Sequence, residues 1–233
     1  MLFRFRSLTP LPVVAVLCVL LFRERAVLGP GGVLLDGLLD LIGLALCMTG
    51  EALRVYVTGS VPDGTSGQND RLEAAVLNTR GPYAFVRNPL YLGNLFLVAG
   101  LLCIANDLWV YALGLGFFFF EYFFIIRTEE DFLRTRFAQV FEDYCGKVPR
   151  WIPRHSPAFN GALRAGGFDW RRALKKEHNP SAAWISGALA LLAWESYTRH
   201  PSQQTALLTF AALEVGTLVA FVAIKGWKHG WFK

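Results

Sequence analysis

Apolar sequence returns six times along this chain, at Leu11–Phe22, Gly32–Val57, Leu90–Ala105, Leu108–Ile126, Ala182–Tyr197 and Ala206–Ile224. A helix needs about 20 apolar residues to cross a bilayer. Several of the six fall short of that, and snorkelling flanks or helices that run past the apolar core make up the difference. With 54% hydrophobic residues over 233 positions the chain is greasier than a soluble domain of its size. The pattern predicts an all-α polytopic membrane protein of about six transmembrane helices, with a helical extension on the cytoplasmic side after the fourth. Residues 1–233 read as one domain, with no repeat or low-complexity tail. The first segment is the weakest. Arg4 and Arg6 before it also suit a signal peptide, but it ends in Phe22-Arg23-Glu24-Arg25, with no small-residue cleavage site.

Charge sets the expected orientation. If the N-terminus is cytoplasmic and all six segments span, every Lys and Arg except Arg23, Arg25, Arg54 and Arg199 falls on the cytoplasmic side. The positive-inside rule then gives N-in and C-in. The four cysteines occur singly, and the four histidines are scattered, so no metal-ligand or redox spacing is present. Cys18, Cys47 and Cys103 lie in apolar runs and read as small hydrophobes.

The stretch RGPYAFVRNPLYLGN, residues 80–94, puts polar and turn-forming groups where the third segment enters the membrane. Asn88-Pro89 is a helix-start signal, an N-cap followed by proline at the first helical position. The positive end of that helix dipole, with Arg87 beside it, suits a carboxylate or phosphate. Gly81-Pro82 supplies a turn that folds Tyr83 back toward it. A purely structural reading is also open: a capped helix with an interfacial arginine and two belt tyrosines, Tyr83 and Tyr91.

A second cluster, RTEEDFLRTRFAQVFEDYCGKVPRWIP, follows the fourth segment. Arg127 to Tyr144 reads as one helix continuing out of the membrane and ended by Pro149 and Pro153. Glu130 and Arg134 are spaced as a surface pair, which Asp131 can share. Glu129 stands on the apolar face, where a carboxylate is costly unless something positive meets it: Arg136 two turns on, or a cationic ligand. The turn at Asn106-Asp107 makes the third and fourth segments an antiparallel hairpin. The anion-favouring helix start and the acidic helix exit must then be neighbours at the cytoplasmic surface. S-adenosylmethionine, with its carboxylate, ammonium and sulfonium, has the matching charge pattern and is the expected cofactor.

Other acids divide by position. Glu121, in GFFFFEYFFII, either faces an acceptor pathway as a catalytic candidate or bonds a neighbouring helix as a protonated acid. Asp36 and Asp40 read as wetted at the outer interface. Glu51 and Arg54 are spaced to pair. Glu195 and Glu214 have no assigned role. The stretch FDWRRALKKEHNP, residues 168–180, reads either as an amphipathic helix at the headgroups, capped by Asp169 with Trp170 and Leu174 dipping in, or as a solvated basic loop.

The two clusters, in this order around a helical hairpin, resemble the isoprenylcysteine carboxyl methyltransferases and their phospholipid methyltransferase relatives, integral membrane enzymes. The resemblance covers about residues 75 to 154. Its pattern runs Gly-x-Tyr, then Arg-His-Pro-x-Tyr-x-Gly, then Glu-Glu, a Tyr and a closing Pro. It implies a cofactor pocket at the cytoplasmic helix ends formed by Gly81, Tyr83, Arg87, Asn88, Pro89, Tyr91, Gly93, Glu129, Glu130 and Tyr144, with backbone near Leu77 and Asn78. Arg127 matches an arginine suited to steering an anionic acceptor. Asn88 replaces the usual histidine; it can cap and donate but carries no proton at neutral pH.

The implied activity is S-adenosylmethionine-dependent methyl transfer to a lipidic or lipid-anchored carboxylate, phosphate or amine that reaches the site laterally from the bilayer. Two other readings compete. An NADPH-dependent sterol- or enone-type reductase shares such a hairpin, but a polyanionic cofactor is poorly served by Glu129-Glu130. A non-catalytic lipid-binding scaffold would use the same polar groups only to cap and snorkel.

Overall fold

The computed structural model describes residues 14–16, 19–20, 30–61, 74, 76–154, 167–199 and 204–231. They form α1 (Pro30–Ser60), a 3₁₀ turn (Gly81–Ala84), α2 (Pro89–Ala105), α3 (Leu108–Phe137), α4 (Gln139–Lys147), α5 (Trp170–Arg199) and α6 (Gln204–His229). The protein is an all-α polytopic membrane protein. Gly32–Ser60, Leu108–Phe137 and Thr205–His229 have the length and composition to cross a bilayer, and Pro89–Ala105 is a shorter apolar helix. The expected span 182–197 is the second half of α5. The first expected segment lies mostly outside the described residues; those described in it are helical.

Glycine decides how α1 and α2 pack. Gly43 and Gly50 on α1 are seven apart, as are Gly93 and Gly100 on α2. A Cβ on Gly50 would lie 2.6 Å from the Gly93 carbonyl oxygen, and one on Gly100 2.5 Å from that of Gly43. The helices therefore run antiparallel at near backbone contact, the small-residue packing that substitutes for a hydrophobic driving force in lipid. Cys47, fully buried in this seam, donates to the Leu97 carbonyl at 3.5 Å. Trp184 and Ala188 of α5 close the same core against Leu97 and Ile104.

The α2–α3 hairpin forms as expected. Asn106 ends α2 in the left-handed region, with φ of 44°, and Asp107 caps α3 by accepting from the N–H groups of Trp109 and Val110 at 2.9 and 3.0 Å. Asn106 also donates to Asp36 at 2.7 Å. This corrects the wetted-interface reading of Asp36, which is 2% exposed: a buried acid is retained here because the hairpin turn supplies its partner. With 30 residues, α3 is about 45 Å long and outruns the ~30 Å hydrocarbon core.

Two expected boundaries change. The helix after the membrane is not continuous to Tyr144. It breaks at Ala138, whose φ is 45°, and α4 restarts on a new axis. The break lets Phe141, Tyr144 and Val148 pack against Leu77, Leu133 and Phe137 in a small core of their own. Of the two readings of residues 168–180 the helix holds and the loop does not: from Trp170 the stretch is helical and forms the start of α5, which continues through Pro180. Asp169 does cap it, accepting from the Arg172 N–H at 3.0 Å, and the Asp169 N–H donates to the Gly59 carbonyl at 2.9 Å. Leu34, Phe120 and Val219, all more than half exposed, point where lipid would lie.

Candidate cofactor site

The segment before α2 is fixed by backbone and by one buried ion pair. Gly81, with φ of 60°, opens the 3₁₀ turn, a left-handed conformation that glycine adopts without a Cβ penalty. The turn presents Tyr83, whose carbonyl accepts from the Tyr144 phenol at 2.7 Å. Downstream, residues 85–88 are clasped to 149–154. The Arg87 N–H donates to the Pro149 carbonyl at 2.8 Å, the Arg154 N–H to the Phe85 carbonyl at 3.1 Å, and the Asn88 amide to the Arg150 carbonyl at 3.2 Å. Asn88 therefore stands at the N-cap position without capping through its side chain. That corrects one expectation: its amide spans to the chain after α4 instead.

Glu130 is not the expected surface partner of Arg134. It is 5% exposed. Arg150 forks onto it, Nε on one oxygen at 3.0 Å and a terminal nitrogen on the other at 2.5 Å, and Arg87 approaches the first oxygen at 3.6 Å. Arg134 instead pairs with Asp131 at 3.0 Å and with Glu142 at 2.5 Å, on the exposed side. The spacing rule failed because Ala138 turns α4 back along α3, so Glu142 reaches Arg134 and residue 150 reaches Glu130. Arg87 is thus partly committed to Glu130, yet its Nε is buried with no hydrogen-bond partner.

Glu129 is half-buried and accepts from the Tyr91 phenol at 2.6 Å. The Tyr91 ring packs edge-on against Tyr122 at 4.9 Å. Tyr83 lies close enough for Glu129 to act on its phenol; burial first, then that carboxylate, pushes the phenol above its ordinary value. Burial does the same to Tyr144. Both phenols stay protonated at neutral pH.

The structure therefore brings Tyr83, Arg87, Tyr91, Glu129, Glu130 and Tyr144 together at the ends of α2 and α3. Leu77 packs on the α4 core behind them. Pro89 is buried at the first position of α2, and Asn78 lies in the backbone leading to the turn. Gly93 points the other way. A Cβ there would lie 2.7 Å from the Arg54 side chain and 3.0 Å from the Gly50 carbonyl, so its smallness serves the α1–α2 seam. Arg127 is exposed on α3, and Glu121 is half-buried about two turns deeper.

A polar chain behind the site had no clear sequence signal. Asn94 donates to the Tyr122 hydroxyl at 2.6 Å and accepts from Arg54. Arg54 reaches Glu177 of α5 at 2.7 Å, both side chains at least 94% buried. Arg54 was expected to pair with Glu51. Glu51 instead accepts from Ser181 and, at 3.0 Å, from the Trp184 indole. Both corrections have one cause: α5 packs on this face of α1 and supplies better-placed partners than the helix's own next turn.

Residues 39–140 match the phospholipid methyltransferase family model. The chain is 32% identical over 119 residues to the cobalt-zinc-cadmium resistance protein CzcN of Cupriavidus metallidurans, covering 51% of this chain and 49% of that protein. It is 34% identical over 80 residues to the nickel-cobalt-cadmium resistance protein NccN of Alcaligenes xylosoxydans xylosoxydans, covering 34% and 37%. It is 33% identical over 117 residues to the protein-S-isoprenylcysteine O-methyltransferase of Tribolium castaneum, covering 48% and 41%. Each match spans less than half of the relative's length. No solved structure matches. Among the described residues no group of three or more His, Cys, Asp or Glu is placed to hold a metal. The paired clusters, the helical hairpin and the family match agree: over residues 39–140, less than half of its length, the chain is similar to the phospholipid methyltransferase family, and a similar share of it resembles an isoprenylcysteine methyltransferase.

Proposed function

We propose that the chain is an S-adenosylmethionine-dependent methyltransferase whose site lies on the cytoplasmic side of the membrane, with both termini cytoplasmic, and whose acceptor is a lipid or a lipid-anchored group. The observation that carries this reading is the 2.6 Å bond between Tyr91, at the start of α2, and Glu129, at the exit of α3. It supports the adjacency that a small zwitterionic guest requires.

The residues suit such a guest on two counts. Glu129 is half-buried, so a cationic group can reach its carboxylate. Arg87 Nε is a buried donor left unspent, which an anion would satisfy. Glu129 would hold the cationic end, with Tyr91 fixing its orientation. Arg87 and the start of α2 would hold the carboxylate. Arg150 keeps Glu130 paired and thereby keeps Arg87 in place. Gly81 and the backbone near Leu77 and Asn78 would line the nucleoside side.

S-adenosylmethionine, when bound, supplies an electrophilic methyl group and a neutral thioether leaving group. The chain then needs no acid to expel that group, and its work is alignment and the exclusion of water. A carboxylate or phosphate acceptor needs no base, whereas a protonated amine does. Arg127, exposed at the cytoplasmic end of α3, is positioned to draw an anionic acceptor. Glu121, deeper on the same helix, is the candidate for contact with an acceptor arriving from the bilayer. Asn88 cannot act as an acid or base, and its amide is bonded to the Arg150 carbonyl, so any such step falls to another group.

The test is methyl transfer. Purified protein in lipid nanodiscs, given methyl-labelled S-adenosylmethionine with a membrane lipid extract or a prenylated cysteine peptide, should label one of the two acceptors, and Glu129→Gln should not. Labelling of neither acceptor, under conditions where the cofactor is shown to bind, would overturn the proposed acceptor class. Absence of cofactor binding would overturn the proposal as a whole.

A further inference from the structure

The adjoining ends of α5 and α6 gather positive charge. α5 opens with Arg171, Arg172, Lys175 and Lys176 in its first two turns and no acid in the first. Cations there meet the positive end of the helix dipole, which favours anions instead. α6 closes with Lys225, Lys228 and His229. The two ends touch: Lys175 Nζ lies 5.2 Å from the centre of the Trp227 ring. Burial first, and then the charges of Lys228 and Lys225, disfavour protonation of His178 on α5, against hydrogen bonding to the Lys175 and Leu174 backbone. The acids nearby are spent elsewhere. Glu177 is held by Arg54 at 2.7 Å, and Asp169 by the α5 cap and by Arg172 at 3.4 Å. Lys175, Lys225 and Lys228 make no ion pair among the described residues.

Tryptophan surrounds the same patch. Trp170, Trp227 and Trp231 are 43% to 67% exposed, and Trp231 stacks on His229 with ring centres 6.0 Å apart. Exposed aromatic rings with one polar edge sit best at the membrane–water interface. Arg171 and Lys175 share one face of α5, four residues apart, and Lys225 and Lys228 share one face of α6, three apart. α6 is long and apolar enough to cross a bilayer, and none of its most apolar stretch is buried inside the protein. Its last turn therefore comes to rest among lipid headgroups. A soluble acidic partner would account for the lysines but would leave the three tryptophans unexplained.

We propose that this patch is a binding site for an anionic phospholipid, with the headgroup phosphate among Lys175, Lys225 and Lys228 and the upper part of the lipid against Trp170 and Trp227. Each lysine near the membrane surface attracts anionic headgroups, and three on one patch select an anionic lipid over a zwitterionic one. The site is independent of the methyl-transfer reading. α5 and α6 follow the stretch that matches the family model, and none of the cofactor-site residues lies on them.

Photolabelling of the full protein in phosphatidylcholine nanodiscs tests it. Two probe lipids, phosphatidylglycerol and phosphatidylcholine, carry the same diazirine-bearing acyl chain and are added in turn as a minor component. Phosphatidylglycerol should label peptides from 170–178 and 221–231 roughly tenfold more than phosphatidylcholine does. Peptides from 117–124, where Phe119, Phe120, Phe123 and Phe124 are exposed on α3, should be labelled alike by both. The triple variant Lys175→Gln, Lys225→Gln, Lys228→Gln should abolish the preference. Arg136→Gln, Lys147→Gln, Arg154→Gln removes as much charge from exposed positions elsewhere and should keep it. Should the first triple variant fail to fold, about 1 M sodium chloride should erase the preference in the wild type, because the Debye length falls to about 3 Å. Equal labelling by the two lipids would overturn the proposal, and so would a preference that survives the first triple variant or that is lost equally in the second. If, with no lipid preference, polyglutamate were retained by the wild type and not by the first triple variant, the patch would serve a soluble acidic protein instead.

Discussion

The phenol of Tyr91 donates to Glu129 across 2.6 Å, joining the start of α2 to the exit of α3 over 38 residues of chain. Two helices that enter and leave the membrane in opposite directions thus meet through one charge-assisted bond, and the α2 dipole end and the Glu129 carboxylate face the same space. Tyr91→Phe keeps the ring that packs on Tyr122 and removes this bond. Its cost to cofactor affinity should be roughly tenfold, with little change in melting temperature. Calorimetric titration beside a thermal melt separates the two effects.

Glu130 predicts a stability effect. Its carboxylate is buried, and Arg150 supplies both of its close hydrogen bonds. Arg150→Met should cost about 1.5–3 kcal/mol, because Arg87 at 3.6 Å cannot replace the fork. The double variant with Glu130→Gln should regain much of the loss. Melts of the single and double variants in detergent check this.

Arg54 and Glu177 form a buried pair between α1 and α5. Removing one partner leaves an uncompensated charge, and Arg54→Met should cost about 3–5 kcal/mol. Replacing both, Arg54→Met with Glu177→Gln, should be far milder. A double-mutant cycle measures the coupling.

The glycine seam predicts a sharp contrast between positions. Gly100→Ala would place a methyl group 2.5 Å from the Gly43 carbonyl and 2.9 Å from the Cys47 nitrogen, all backbone that cannot yield cheaply. A loss of about 1–3 kcal/mol is expected. Gly116→Ala, which meets nothing within 4 Å on α3, should be neutral or stabilising. Thermal melts of the two variants decide it.

Tyr83 and Tyr144 set an alkaline limit. Burial raises both phenols above the ordinary value of about 10. A raised value in the folded state means the unfolded chain loses these protons first. Their stabilisation is therefore complete below pH ~10 and is lost as the pH climbs toward the folded-state values. Stability should be insensitive to these two groups from pH 7 to about 9.5. Melts of Tyr144→Phe against the parent across pH 8–11 should show the parent's alkaline loss reduced in the variant.

What was legible in the sequence follows from what is local. The hairpin was readable because Asn106-Asp107 lies between two apolar runs, and the pairing of the two clusters followed from the hairpin alone. Glu129 stood out because a carboxylate on an apolar face needs a partner. The partners themselves were not legible. Glu130 with Arg150, Arg54 with Glu177 and Glu51 with Trp184 depend on where Ala138 bends the chain and which face of α1 receives α5. Helical spacing proposed Arg134 and Arg54 for these acids because it sees only one helix at a time. Gly93 was assigned by its place in a motif, whereas its contacts lie in the α1–α2 seam, and the seven-residue spacing of Gly43, Gly50, Gly93 and Gly100 was the available signal.

The most direct test is titration of detergent-solubilised protein with S-adenosylmethionine, wild type against Glu129→Gln, each shown by its melt to be folded. Saturable binding to the wild type and none detectable to the variant is the expected result. Binding of equal affinity to both, or no binding to the folded wild type, would contradict it.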